Sequence, residues 1–195
     1  MSNEDTDVTL IETKTLAKHK GTLTETTYER VRSDGDRQTA KREIYDNGCS
    51  AAILPYDRKR GMVLLTRQFR LPAFLQDGAH FLIEACAGKL EGDDPAVRIV
   101  KEVNEELGYR IASPKKVYEV FMSPADFMEK ITLFVGQYCP DDKISEGGGL
   151  ADEGEDVTVL EVPLVEAFAM VRAGTIIDAK TIILLQYLQM ERSAA

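Results

Sequence analysis

The chain has 195 residues, with 24 Lys and Arg against 33 Asp and Glu, a formal charge of −9 and 44% hydrophobic residues. That length suits one compact domain with a small appendage, and the apolar fraction excludes wholesale disorder. The acidic balance speaks against nonspecific nucleic-acid binding, which needs a basic surface. It does not exclude phosphate ligands, because clustered carboxylates can hold a divalent metal and the metal can hold phosphate.

Cys49, Cys86 and Cys139 are odd in number and form no CxxC pair. A disulfide framework or thiolate zinc site is therefore not expected, and a reducing, cytoplasmic setting is. With only His19 and His80, a multi-histidine zinc site is not expected either. Cys86 reads as a buried inert thiol rather than a nucleophile. The polar, acidic residues 1–7 are unlike a signal peptide, and no apolar run approaches the ~20 residues that span a membrane.

In chain order, residues 8–16, 21–32 and 36–45 read as three strands. Ser33-Asp34-Gly35-Asp36 reads as a hairpin turn, since Asp-Gly tolerates positive φ. This segment, 1–46, has few large apolar residues and needs a main domain or a second subunit to pack against. The main domain is expected over 47–195. Residues 50–55 and 62–69 read as buried strands around the charged turn 57–60, and 80–86 as one further short apolar segment. Strands follow at 117–122 and 131–138, joined by a loop at 123–130. Residues 143–155 form a Gly-rich acidic loop, and 157–162 a last strand. Pro163 opens a helix that runs to Arg172. Asp178 can cap a final helix carrying Ile182, Ile183, Leu185 and Leu188. Strands mixed with three helices, without strict βαβ alternation, predict an α+β fold or a three-layer sandwich.

The most informative stretch is 88–109. Asp94-Pro95 is an N-cap followed by a first-turn proline, and Leu107-Gly108 a helix end. Ala96, Ile99, Val100, Val103 and Leu107, spaced three and four apart, form the expected core face. Glu102, Glu105 and Glu106 are assigned to a different face. Like charges at these spacings cost about 0.2–0.5 kcal/mol per pair in an isolated helix, and acids at the C-terminal end oppose the helix dipole. The ordinary reading of such a cluster is a solvated acidic face. A divalent cation removes both penalties, and hard carboxylate oxygens suit Mg²⁺ or Mn²⁺. Lys101, four residues before Glu105, is expected to pair with it. The turn Ala87-Gly88 could bring a backbone carbonyl to the same ion.

This stretch resembles the Nudix box: Gly, five residues, Glu, seven residues, Arg-Glu, an aliphatic, one residue, Glu-Glu, one residue, Gly and an aliphatic. The chain supplies Gly88, Lys101-Glu102, Val103, Glu105-Glu106, Gly108 and Tyr109. The spacing from Gly88 to Glu102 is one residue short, Lys101 replaces the Arg, and Asp93 or Asp94 takes the upstream Glu position. The resemblance extends to Lys41-Arg42-Glu43, Arg67-Gln68-Phe69-Arg70, Glu84 to Gly88, Met122-Ser123-Pro124 and the loop from Gly149 to Asp156. These are similar to the ADP-ribose and nucleoside diphosphate-sugar pyrophosphatase branch, and overall most similar to the GDP-mannose pyrophosphatases.

The resemblance implies a Nudix α/β/α sandwich with a small N-terminal antiparallel β-sheet that makes a homodimer. It implies Mg²⁺-dependent hydrolysis of GDP-mannose or ADP-ribose to a nucleoside monophosphate and a sugar phosphate, without nucleic-acid or membrane partners. A non-catalytic nucleotide-sugar-binding module is the alternative. Carried over position by position, the metal ligands are Ala87 through its carbonyl, Glu102, Glu106 and Glu155. Glu153 is the general base and Glu105 a further catalytic carboxylate, with Glu153 and Glu155 open to exchange of roles. Substrate contacts fall to Lys41, Arg42, Glu43, Arg70, Gly88, Lys89, Glu129 and Lys180, with Arg70 as a pyrophosphate clamp. Ala125-Asp126 stands where relatives have Gly-Gly, which leaves the sugar pocket open.

Overall fold

The computed structural model describes residues 7–78, 81–150 and 154–193. The chain divides into two compact units, Met1–Cys49 with Ser123–Glu129, and Ser50–Met122 with Lys130–Ala195.

In the first unit, β1 (Val8–Lys18), β2 (Thr22–Val31) and β3 (Arg37–Asp46) form an antiparallel meander. Threonine supplies the β-branched side chains that suit a half-exposed pleated surface, and Thr13 and Thr26 share a cross-strand hydroxyl contact at 3.1 Å. Asp34 Oδ1 accepts the Asp36 N–H at 3.1 Å in the hairpin turn. Register breaks between Leu10 and Glu12 and between Thr15 and Ala17 interrupt β1. All of β1 is exposed, including Val8, Leu10, Ile11 and Leu16. The 123–129 loop joins this unit through Tyr45. The Tyr45 N–H donates to Asp126 O at 2.8 Å, Met128 N–H donates to Tyr45 O at 3.1 Å, and the Tyr45 and Phe127 rings meet edge-on at 5.9 Å.

The second unit is built on a mixed sheet whose central strand, β4 (Ser50–Asp57), is buried on both faces. Such a strand reads as an unbroken apolar run. β4 pairs in parallel with β9 (Lys130–Gln137), which pairs antiparallel with β8 (Lys115–Phe121). β5 (Met62–Phe69) pairs antiparallel with β10 (Val157–Pro163). Alternation along β4 fills two cores. Ala52 and Leu54 face a cluster holding Leu164 and Ala167 of α3 (Leu164–Arg172) and Leu184, Leu185 and Leu188 of α4 (Ala179–Ser193). Ala51 and Ile53 face a second cluster with Ile99 of α2 (Pro95–Glu102) and with Val103 and Leu107. Helices on both faces of one sheet make the expected α/β/α sandwich. No helix among the described residues is long and apolar enough to cross a membrane.

The β4–β5 hairpin is split. The two strands pair only at Tyr56–Val63 and Asp57–Met62. Beyond that, β6 (Phe81–Glu84) pairs with β5 and β7 (Cys86–Lys89) pairs with β4, so a short chain segment is wedged between them. The segment expected as one apolar stretch over 80–86 is therefore two strands broken at Ala85; His80 lies outside the described residues. A further helix, α1 (Leu71–Asp77), was not anticipated. It has seven residues, a proline in its first turn and no buried side chain, so it carries no amphipathic signal.

The helix expected from Asp94 to Leu107 also differs. Asp94 caps it as expected, accepting Ala96 and Val97 N–H at 2.9 and 3.3 Å. Regular α-helix ends at Glu102, and Val103–Leu107 is a π-helical turn closed by the Gly108 N–H onto Val103 O. Such turns inside helices recur at functional sites.

Candidate active site

The π turn and the wedge meet at Gly88. Glu102 and Glu106 are only 4% and 2% exposed, which corrects the expectation that they lie away from the core. They stand three residues after Ile99 and Val103 and complete the buried stripe rather than opposing it; Glu105 is half-buried. A Cβ at Gly88 would fall 1.9 Å from Glu102 Oε1, so only glycine lets the carboxylate lie against this strand. The Cys86 thiol and the Ala87 N–H hydrogen-bond to the Glu106 carboxylate. Its Oε2 is buried with no hydrogen-bond partner among the described residues. Burial, then the charges of Glu102 and Glu155, push Glu106 up to about 7. Burial also raises Glu102, against the pull of Arg98.

Glu155 reaches this cluster because the Gly-rich loop is tied to the π turn. Gly148 and Gly149 N–H groups donate to the carbonyls of Glu106 and Glu105 at 2.9 and 3.1 Å. Gly149 has φ +78, and a Cβ there would fall 2.6 Å from Glu155 Oε2. That oxygen accepts the Leu150 N–H at 2.9 Å. Glu153 lies outside the described residues.

The ion pairs differ from those expected. Lys101 does not hold Glu105; its Nζ donates to Asp93 Oδ2 at 2.7 Å. Arg98 Nε instead donates to Glu102 Oε1 at 2.6 Å, an i,i+4 pair. The reason lies in the shortened loop before α2. There Glu91 adopts φ 51, the one positive φ outside glycine among the described residues, and Asp93 comes within reach of Lys101. Both Asp93 and Asp94 are thus occupied, one by Lys101 and one by the helix cap.

Beside the cluster lies a buried ionic network that the sequence did not disclose. Arg70 Nε and Nη2 donate to the two oxygens of Glu84, both at 2.9 Å. Lys180 Nζ donates to Glu84 Oε2 at 2.7 Å and to Asp178 Oδ1 at 2.8 Å. Asp178 accepts the Thr181 N–H at 3.0 Å and so caps α4, while the Thr181 hydroxyl accepts the Ala85 N–H at 2.6 Å. Burial disfavours the Glu84 anion, but hydrogen bonding and charge from Arg70 and Lys180 win and hold it down to about 2. Glu84 could have been found as the one acid inside the apolar run 80–86, and Arg98 by its four-residue spacing from Glu102. Asp178 and Thr181 had no comparable signal beyond the cap.

The structure therefore gathers Ala87, Gly88, Glu102, Glu106 and Glu155, and sets Arg70 and Lys180 together on Glu84. Lys89 ends β7, half-buried. Lys41, Arg42, Glu43 and Glu129 belong to the other unit. Within it Lys41 Nζ donates to Glu25 at 3.0 Å and Arg42 donates to the Lys41 carbonyl at 2.8 Å. Cys86 is fully buried, and burial pushes its thiol well up, so it stays protonated.

Among the described residues, no three His, Cys, Asp or Glu side chains converge tightly enough to hold a metal by themselves. Glu102 Oε1 is turned onto Arg98 and Glu155 Oε2 onto Leu150 N–H. The donor chemistry nonetheless fits a hard divalent cation: a buried carboxylate oxygen without a partner, with two more carboxylates close enough to raise its pKa.

Residues 7–45 match the family model described as the GDP-mannose pyrophosphatase NudK N-terminal domain. The chain is 45% identical over 187 residues to a GDP-mannose pyrophosphatase of Cronobacter sakazakii, covering 94% of this chain and 96% of the relative. It is 42% identical over 184 residues to a GDP-mannose pyrophosphatase of Escherichia coli O157:H7, covering 94% and 95%. The crystal structure of an ADP compounds hydrolase superposes with a TM-score of 0.75 at 18% identity, over 99% of this chain and 98% of that one, a likeness of fold. Enzymes with this fold and box generally use a divalent metal. The chain belongs to the GDP-mannose pyrophosphatase family of the Nudix hydrolases.

Proposed function

We propose that the chain hydrolyses the pyrophosphate bond of a nucleoside diphosphate sugar, with GDP-mannose as the preferred substrate and Mg²⁺ as the cation. The products are a nucleoside monophosphate and a sugar phosphate. The observation that carries this reading is the partnerless, buried Glu106 oxygen at Gly88, next to Glu102, in a chain of this kinship. None of these findings favours the binding-only alternative.

Glu102, Glu106, Glu155 and the Ala87 carbonyl would hold the cation. Bound there, it supplies charge neutralisation of the diphosphate and a more acidic water. Arg98 orients Glu102, while Cys86 and Ala87 N–H orient Glu106. Glu84 engages Arg70 through Nε and Nη2, which leaves Nη1 to meet a phosphate oxygen, and Lys180 adds positive charge behind it. Glu153 takes the proton of the attacking water, and Glu105 is the reserve carboxylate of the same site. Lys41, Arg42, Glu43 and Glu129 complete the substrate site of a homodimer formed through the N-terminal sheet, whose β1 exposes four large apolar side chains. The setting is cytoplasmic.

The test is incubation with Mg²⁺ and a panel of GDP-mannose, ADP-ribose and other nucleotide sugars, with products identified by mass spectrometry. GMP and mannose 1-phosphate are the expected products. Absence of turnover across the panel refutes the reading.

A further inference from the structure

The far end of the sheet carries a second cleft. The β4–β5 turn, the start of β8 and the last turns of α4 enclose about 590 Å³, within the size range of small-molecule sites. On β4, Ala52 lies opposite Ala87 of the glutamate cluster, and Asp57 at the cleft lies five residues further along. At about 3.3 Å per residue, the two sites stand roughly 17 Å apart.

In a chain of net charge −9, this cleft is basic. Arg58, Lys59, Arg60, Lys115 and Arg192 line it, against Asp57 and Glu191. Both acids are engaged. Asp57 Oδ1 accepts the backbone N–H groups of Lys59 and Arg60 at 2.9 and 3.0 Å, and Glu191 lies 3.6 Å from Lys115 Nζ. Arg60 is forked onto Glu161 at 2.7 and 3.0 Å. Arg58, Lys59 and Arg192 have no acidic partner among the described residues. Three cations around one cleft repel one another, and an anion in the cleft relieves that repulsion. The floor is apolar, made by Met62, Val135, Leu164 and Leu188. Tyr187 stands at the rim, its hydroxyl fixed by Lys115 Nζ at 2.7 Å. A bare inorganic anion makes no use of such a floor, whereas the body of an organic phosphate does.

We propose that this cleft binds a small organic phosphate monoester, at a site separate from the glutamate cluster. The proposal stands independently of the hydrolytic reading, and its test needs no turnover. Binding is measured by calorimetry in EDTA with three probes: GMP, mannose 1-phosphate and inorganic phosphate. EDTA removes any cation that could bridge phosphate to the glutamate cluster, and the variant described next, which alters only the cleft, assigns the remaining binding to it. At least one monoester is expected to bind saturably, at least tenfold tighter than inorganic phosphate, and more weakly as NaCl rises. The triple variant Arg58→Ser, Lys59→Ser, Arg192→Ser is expected to weaken that binding at least tenfold while keeping its melting temperature and Mg²⁺-dependent hydrolysis. Should the triple variant melt lower, Lys59→Ser alone is used, with an expected loss of about threefold. No saturable monoester binding, equal binding by variant and wild type, or inorganic phosphate matching the monoesters would each overturn the proposal. Absence of hydrolysis in the separate Mg²⁺ assay would bear on the function alone.

Discussion

Two buried glutamates on neighbouring strands and turns are driven in opposite directions. Glu106 is buried with no direct ion pair among the described residues and rises to about 7, whereas Glu84 is gripped by Arg70 and Lys180 and falls to about 2. Because the folded-state pKa of Glu84 lies below its ordinary value of 4.5, its stabilisation is present above pH 4.5 and is lost as pH falls toward 2. A depression of this size corresponds to about 3 kcal/mol. Glu84→Gln is therefore expected to lower stability at pH 7 by about 3 kcal/mol and to flatten the acid limb, checked by urea unfolding across pH 2–7. The second residue-scale prediction concerns Gly88. A methyl group there meets the mobile end of Glu102 rather than backbone, so Gly88→Ala should fold but displace that carboxylate. A ten- to hundredfold loss of divalent-cation affinity is expected, read by metal titration alongside an unchanged circular dichroism spectrum.

At the scale of elements, the α2–π unit explains how Glu102, Glu106 and Glu155 come together from one helix and the Gly-rich loop. The π turn widens the helix after Glu102, and its carbonyls take up the N–H groups of the Gly-rich loop. Deleting Asn104 should convert the π turn to α-helix and move Glu106 from four to three residues after Glu102. Cooperative unfolding is expected to persist while hydrolysis drops below one-hundredth, measured by chemical denaturation and product release; full activity would show that the π register is dispensable.

Much of this element was legible. Asp94-Pro95 marked its start, and Ile99, Val103 and Leu107 its buried side. The π turn was not, because those two four-residue spacings satisfy an α-helix equally well. The burial of Glu102 and Glu106 was hidden because charge ordinarily signals exposure. The choice of Arg98 over Lys101 as the glutamate's partner depends on where Asp93 ends up, which the loop decides and local periodicity does not. The strands of the large sheet were legible as apolar runs, whereas the break at Ala85 depends on two different partner strands competing for adjacent residues.

At the scale of the whole molecule, both core clusters lie within Ser50–Met122 and Lys130–Ala195. The second unit thus carries its own hydrophobic support. A chain starting at residue 47 is expected to retain a cooperative melt but to run as a monomer in light scattering and to lose hydrolysis by at least a hundredfold. An active monomer would refute the shared site. Residues 123–129 would lose their partner Tyr45 in that variant, so proteolysis should begin there.

The wedge between β4 and β5 also constrains how the family can vary in length. Between Glu84 and Lys89 the chain must close the ion pair with Arg70, give its Ala85 N–H to Thr181, change partner strand, and present Ala87 and Gly88 to two glutamates. One residue gained or lost there would shift all of these together and turn every following side chain to the opposite face. The polar ties of the turn over 90–94, Glu91 to Arg98, Asp93 to Lys101 and the Asp94 cap, run only to the adjoining helix and to no neighbouring strand, and the turn takes up its short length with a single left-handed backbone at Glu91. Insertions and deletions in this part of the chain are therefore channelled into that turn, and a one-residue deletion from 90–94 should survive selection where the same deletion from 84–89 does not.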